Sequence, residues 1–169
     1  MRALIERIKQ NIPEYRAYDE AATRNSIILP ILNKLGWDIF SRDSVYPEYP
    51  VGSKRVDYSL RILEQNRFFI ETKRCNVDLA CHQEQLLGYA FHFGVELACL
   101  TNGITWQFFC RSNPVNGSSA CSIRWILKTR ARTRAKSSSW ISCVVRPWKT
   151  GQLSQRLKTF CQKEQTCCH

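Results

Sequence analysis

Along the first 109 positions apolar residues recur with two different periods, and the switches between them outline the elements. Leu4, Ile5, Ile8 and Ile12 fall at helical spacing, and Pro13 closes that pattern. Asp19 is placed to cap a second helix through EAATRNSIILPILNKL, which Gly36 ends and which Pro30 should kink. SVYPEYPVGSK reads as an edge strand and a turn, because its prolines and glycine interrupt any ladder. Then Val56, Tyr58, Leu60 and Ile62 alternate with Asp57, Ser59 and Arg61, and Phe68, Phe69 and Ile70 open another strand after the polar link EQN. Leu79, Leu86, Leu87, Ala90 and Phe91 form a helical stripe between Asp78 and about His92. VELACLTN is a short apolar strand, Asn102-Gly103 its turn and ITWQFF its partner. This order predicts a central mixed β-sheet flanked by helices, an α/β or α+β fold.

After Cys110 the texture changes to Arg, Ser, Cys and Trp, with no sustained period of 2 or 3.6, so no element is assigned there. Charge divides at the same place. Residues 1–109 carry 13 Lys+Arg against 13 Asp+Glu, while residues 110–169 carry 12 Lys+Arg against Glu164 alone. The expected organisation is therefore a domain over 1–109 and an irregular basic tail over 110–169. Within that tail KTRARTRAK holds five basic residues in nine, enough to grip phosphate in a salt-dependent way. The N-terminus lacks the pattern of an export signal, and runs such as IILPIL fall far short of the ~20 residues that cross a bilayer. A soluble, cytoplasmic protein is expected, with its nine cysteines reduced.

Chemistry concentrates in RVDYSLRILEQNRFFIETK, where thirteen residues separate Asp57 from Glu71-Thr72-Lys73. A turn around Glu64-Gln65-Asn66 would set Asp57 opposite Lys73 and Ser59 opposite Glu71, so that Asp57, Glu71 and Lys73 project from one side of the sheet. Two carboxylates at about 7 Å repel one another unless a cation lies between them, and a hard divalent ion such as Mg²⁺ or Mn²⁺ takes oxygen ligands of this kind. An ammonium beside them can neutralise developing charge, which suits phosphodiester hydrolysis. The same residues also fit a solvated strand face with weak ion pairs.

The arrangement VDY…IETK resembles the PD-(D/E)xK nuclease superfamily, and within it the N-terminal nuclease domain of type I restriction enzyme R subunits and related stand-alone restriction-endonuclease-like proteins. DEAATRNSIILPILNKLGWDIF, YPVGSKRVDYSL, FFIETKR, QEQLLGYAFHFGVELACLTNG and TWQFF match in order over residues 18–109. This resemblance implies a restriction-endonuclease-like core and a Mg²⁺-dependent deoxyribonuclease of restriction type. It makes Asp57 and Glu71 metal ligands with the Thr72 carbonyl, Lys73 the charge-stabilising lysine, and Glu20 a helical acid that completes the metal site. Glu20 also suits a helix first turn on dipole grounds alone. Gln85 and Tyr89 match a Q-x-x-x-Y motif whose i, i+4 spacing sets both on one helix face, toward DNA or bracing the site. Val56 stands where the name of the superfamily has proline. Beyond Phe109 such relatives continue with acidic, Leu-rich segments, so the basic tail reads as a frameshifted or aberrant stretch.

Cys75, Cys81 and His82, or Cys167, Cys168 and His169, lack zinc-finger spacing and read as free thiols with bystander histidines. No phosphate loop of Walker type and no H-E-x-x-H helix occurs, so any ATP-driven motor would be a partner, as would restriction-modification subunits. DNA is the expected substrate. The rival expectations are a non-catalytic nucleic-acid-binding protein on a nuclease-like scaffold and an inactive remnant.

Overall fold

The computed structural model describes residues 1–95, 97–110 and 121–126, with the side chains of Tyr89, Phe91, Cys110 and 121–126 excepted. Helix α1 (Arg2–Gln10) and the short α2 (Ile12–Tyr15) meet at Asn11, where Pro13 takes a first-turn position that needs no N–H. Asp19 caps α3 (Glu20–Thr23), its carboxylate accepting the Ala22 N–H at 2.7 Å. The helix then widens into a π turn, Arg24–Ile28, before α4 (Leu29–Lys34). Pro30 explains the widening. A proline has no N–H for the Ser26 carbonyl and its ring crowds it, so the turn ahead opens and the Leu29 N–H reaches back to Arg24. Gly36, at φ 98°, lets the chain leave in a left-handed conformation.

Among the described residues six strands form one sheet in sequence order: β1 (Val45–Val51), β2 (Lys54–Ile62), β3 (Gln65–Thr72), β4 (Leu97–Thr101), β5 (Thr105–Cys110) and β6 (Cys121–Ile126). All described neighbours are antiparallel except β3 and β4, which run parallel and so require a crossover. That crossover carries a 3₁₀ turn (Ala80–His82) and α5 (Gln83–His92). β1 is one edge of the described sheet, with Pro47 and Pro50 where a central strand would need donors.

Two apolar clusters lie on the two faces of the sheet. One gathers Ile8, Ile27, Ile28, Ile31 and Leu32 of the N-terminal helices against Leu60, Phe68, Ile70, Cys99 and Trp106. The other gathers Leu79, Leu86 and Ala90 against Phe69, Ala98, Leu100 and Phe109. β4 gives residues to both, which is why its sequence is continuously apolar. Gly103, at φ 82°, turns β4 into β5 hard against the helical layer, where a Cβ would stand 3.1 Å from Ile27 Cδ1. No described helix is long and apolar enough to cross a membrane.

Two expectations change. The β2–β3 turn falls on Leu63 and Glu64, both left-handed at φ 51° and 61°, and the ladder shifts at Leu60/Arg61. Tyr58 therefore faces Ile70, and one step further along Asp57 stands opposite Glu71, not Lys73. A slip of two residues preserves which positions share a face, so the grouping of the three charged residues does not depend on it. The second change lies in the basic segment, where no element was expected and β6 pairs along β5. A six-residue strand is too short to declare a period, and a neighbouring strand edge supplies what its sequence does not. The KTRARTRAK cluster and the Cys167, Cys168 and His169 group lie outside the described residues.

Candidate functional site

Where β1, β2 and β3 run side by side, three acids stand in a row. The pairs Pro47↔Tyr58 and Tyr49↔Val56 bracket Glu48 opposite Asp57, and Asp57 is followed by Glu71 on β3. Val45, Tyr58 and Leu60 belong to the helical-layer cluster, whereas Val51 and Val56, with Tyr49 against them, belong to the other. The β1–β2 ribbon thus changes sides of the sheet at the Glu48–Asp57 position. Glu48 carries the bend with φ 50°, a left-handed conformation that a non-glycine residue enters at a cost.

Asp57 is held on both oxygens and its side chain is only 12% exposed. Its Oδ2 accepts the Thr72 N–H at 2.6 Å and the Thr72 Oγ1–H. The carboxylate thereby acts as the next rung of the β2–β3 ladder. Its Oδ1 accepts from Arg24 Nη1 at 2.9 Å, and the same nitrogen donates to Glu48 Oε1 at 2.9 Å. The π turn at Pro30 begins at Arg24, so the helical irregularity and the site coincide.

Glu71 accepts from Lys73 Nζ at 2.8 Å. Its carboxyl is raised above the usual range, first by burial and then by the charge of Asp57; Lys73 opposes the rise and Glu20 adds to it. Burial would lower Lys73, but Glu71, Glu20 and Asp57 outweigh it and its ammonium holds its proton more tightly than usual. Glu20, the first residue of α3, is thus within electrostatic reach of both. Burial raises the Tyr58 hydroxyl to about 12, Arg24 opposing the rise while Asp57 and Glu48 add to it.

The structure therefore brings Asp57, Glu71, Lys73 and Glu20 into one electrostatic neighbourhood. Among the described residues no three His, Cys, Asp or Glu side chains close into a ready metal cage. Gln85 lies exposed on α5, beside the buried Leu86 and three residues after the 3₁₀ turn; Tyr89 sits one helical turn further along α5. Cys75 is buried, its thiol pushed up to about 11 by that burial, and Cys81 is exposed. The residues that sequence patterns missed are Arg24 and Glu48, together with the Thr72 side chain. Arg24 is one cation in a helical stretch. Only the pairing of Pro30 with a residue one and a half turns earlier hints that its side chain is redirected.

Two known proteins resemble this chain. The chain is 25% identical over 120 residues, 60% of its length, to the type II restriction enzyme and methyltransferase RM.Eco57I of Escherichia coli, of which the match spans 12%. Its fold matches a fragment structure assigned to the HsdR subunit of a type I restriction enzyme from Vibrio vulnificus YJ016. That match has a TM-score of 0.50 and 22% identity, over 63% of this chain and 23% of that one. At that identity the likeness establishes fold, and the fold is restriction-enzyme-like. No family model matches the chain.

Proposed function

We propose that residues 1–109 form the nuclease core of a cytoplasmic restriction-type enzyme, a PD-(D/E)xK-like domain that hydrolyses DNA phosphodiester bonds with Mg²⁺ or Mn²⁺. One observation carries this: Asp57, Glu71 and Lys73 share one pocket of charge in a restriction-enzyme-like fold, with Glu71 raised by burial and then by its acidic neighbours. The 25% identity to a restriction enzyme supports the same class.

A hard divalent cation fits the residues present. Glu20, Glu48, Asp57 and Glu71 set four carboxylates against the two cations Arg24 and Lys73, a formal deficit equal to one divalent ion. Mg²⁺ characteristically uses one or two carboxylates and keeps its waters, so a closed cage of three side chains is not required. Asp57 and Glu71 would hold it, with the Thr72 carbonyl and, at longer reach, Glu20. Such an ion supplies charge neutralisation at the phosphate and a more acidic water.

The protein's own residues do the remainder. Thr72 fixes the Asp57 carboxylate through two hydrogen bonds, so one of its oxygens cannot wander. Lys73, protonated and tied to Glu71, presents a fixed positive charge where negative charge grows on the phosphoryl oxygens. Gln85 and Tyr89, on α5, would contact the DNA backbone or brace the site. Recognition and translocation would come from partner restriction-modification subunits and a separate ATPase motor.

The test is incubation of the purified full chain with DNA and Mg²⁺ beside Asp57→Ala and Lys73→Ala. Cutting by the native chain, lost in both variants and on chelation, is expected. Cutting that persists in both variants would refute the assignment. Binding without cutting would instead favour a non-catalytic nucleic-acid-binding protein.

A further inference from the structure

We propose that Arg24 is an internal counter-ion: it occupies the Asp57 carboxylate while no divalent cation is present, and withdraws wholly onto Glu48 when one binds. This deepens the metal-site assignment above and rests on it.

Four features converge on the idea. First, Asp57 divides its oxygens between two kinds of partner. Oδ2 is fixed by Thr72, whereas Oδ1 meets the Arg24 guanidinium. Oδ1 is therefore the oxygen open to exchange, and a cation arriving there meets Arg24 first. Two positive groups on one oxygen repel strongly in a half-buried setting, so one must leave.

Second, the leaving group has somewhere to go. The nitrogen that touches Asp57 already touches Glu48 at the same 2.9 Å, so the exchange breaks one bond and keeps the other. Third, Glu48 is suited to receive it. Half its side chain is exposed, 50% against 12% for Asp57, so a full positive charge drawn toward it stays solvated. Fourth, the strand accepts a left-handed residue at Glu48, which sets that carboxylate opposite Asp57. Lys73 differs from Arg24 in this respect, for its hydrogen bond runs to Glu71 alone among the bonds found at the site. The two cations thus divide the work: Lys73 stays with its acid, and Arg24 shuttles between two.

Arg24 is accordingly a positioning residue that sets cation affinity. Isothermal titration of the full chain with Mn²⁺, without DNA, reads this directly. Arg24→Met should bind Mn²⁺ roughly fivefold more tightly, because its competitor is gone. Glu48→Gln should bind about as much more weakly, since Arg24 then has Asp57 alone. In the double variant the Glu48→Gln penalty should vanish. A purely structural Arg24 gives the opposite: weaker binding in Arg24→Met, with the Glu48→Gln effect unchanged in the double variant, and either result overturns the proposal. If Arg24→Met fails to fold, Arg24→Gln is read the same way. Asp57→Asn separates the two levels. Native binding that Asp57→Asn abolishes supports the metal site whatever Arg24 does; no native binding, or binding indifferent to Asp57→Asn, overturns the site and the shuttle together.

Discussion

The two ends of the β2–β3 hairpin are built from opposite materials. Near the turn, Leu60 faces Phe68 and both vanish into the helical-layer cluster. Three pairs away, the ladder is continued by a carboxylate, and Glu48, Asp57, Glu71, Arg24 and Lys73 share ion pairs. One end binds the chain to itself by removing apolar surface from water. The other concentrates charge that burial penalises, as the raised Glu71 carboxyl records. A fold that tolerates such an end must be stabilised elsewhere, and the apolar end does this.

That contrast is open to measurement. The largest effect is expected for Leu60→Ala, which should lower unfolding free energy by about 2–5 kcal/mol in urea titration while leaving cutting per folded molecule intact. Lys73→Met should do the reverse: a fall in cleavage rate of about 10²–10³-fold, with a smaller change in urea midpoint. Equal losses of stability at both positions would erase the distinction. Gly103→Ala tests the support beneath the site, since it forces a side chain into a left-handed residue beside Ile27. A loss of roughly 1–2 kcal/mol in thermal or chemical unfolding is expected. The smallest effect concerns pH. Because the folded-state Glu71 carboxyl titrates above its unfolded value of 4.5, its stabilising contribution is present in acid and is lost as pH rises through that higher value. Glu71→Gln, neutral throughout, should therefore gain thermal midpoint relative to the native chain on going from pH 4 to pH 7. A gain that shrinks over that range would contradict the direction of the shift.

Much of this was legible in the sequence because the signals are local. Asp19 as a cap, Gly36 as a stop, the alternation from Val56 to Ile62 and the Asn102-Gly103 turn each declare themselves within a few residues. The hairpin register did not, since Leu63 and Glu64 adopt a left-handed turn without glycine or asparagine to announce it. Nor did β6, whose partner lies eleven residues before it begins. Of the site, Asp57, Glu71, Lys73 and Glu20 carry recognisable chemistry. Arg24 and Glu48 do not: a π turn provoked by a later proline and a left-handed strand residue bring them there, and neither leaves a mark at its own position. The placement of Gln85 and Tyr89 on one helix follows from their spacing alone.

Because Thr72 offers its backbone N–H to Asp57, this buried acid doubles as a check on how the two strands have zipped together. A hairpin closed one residue out of frame would present a different amide and turn Asp57 to the face away from Glu71 and Lys73. Under the proposed function, mispaired molecules would lack a working site, so activity would be withheld until the hairpin has closed correctly.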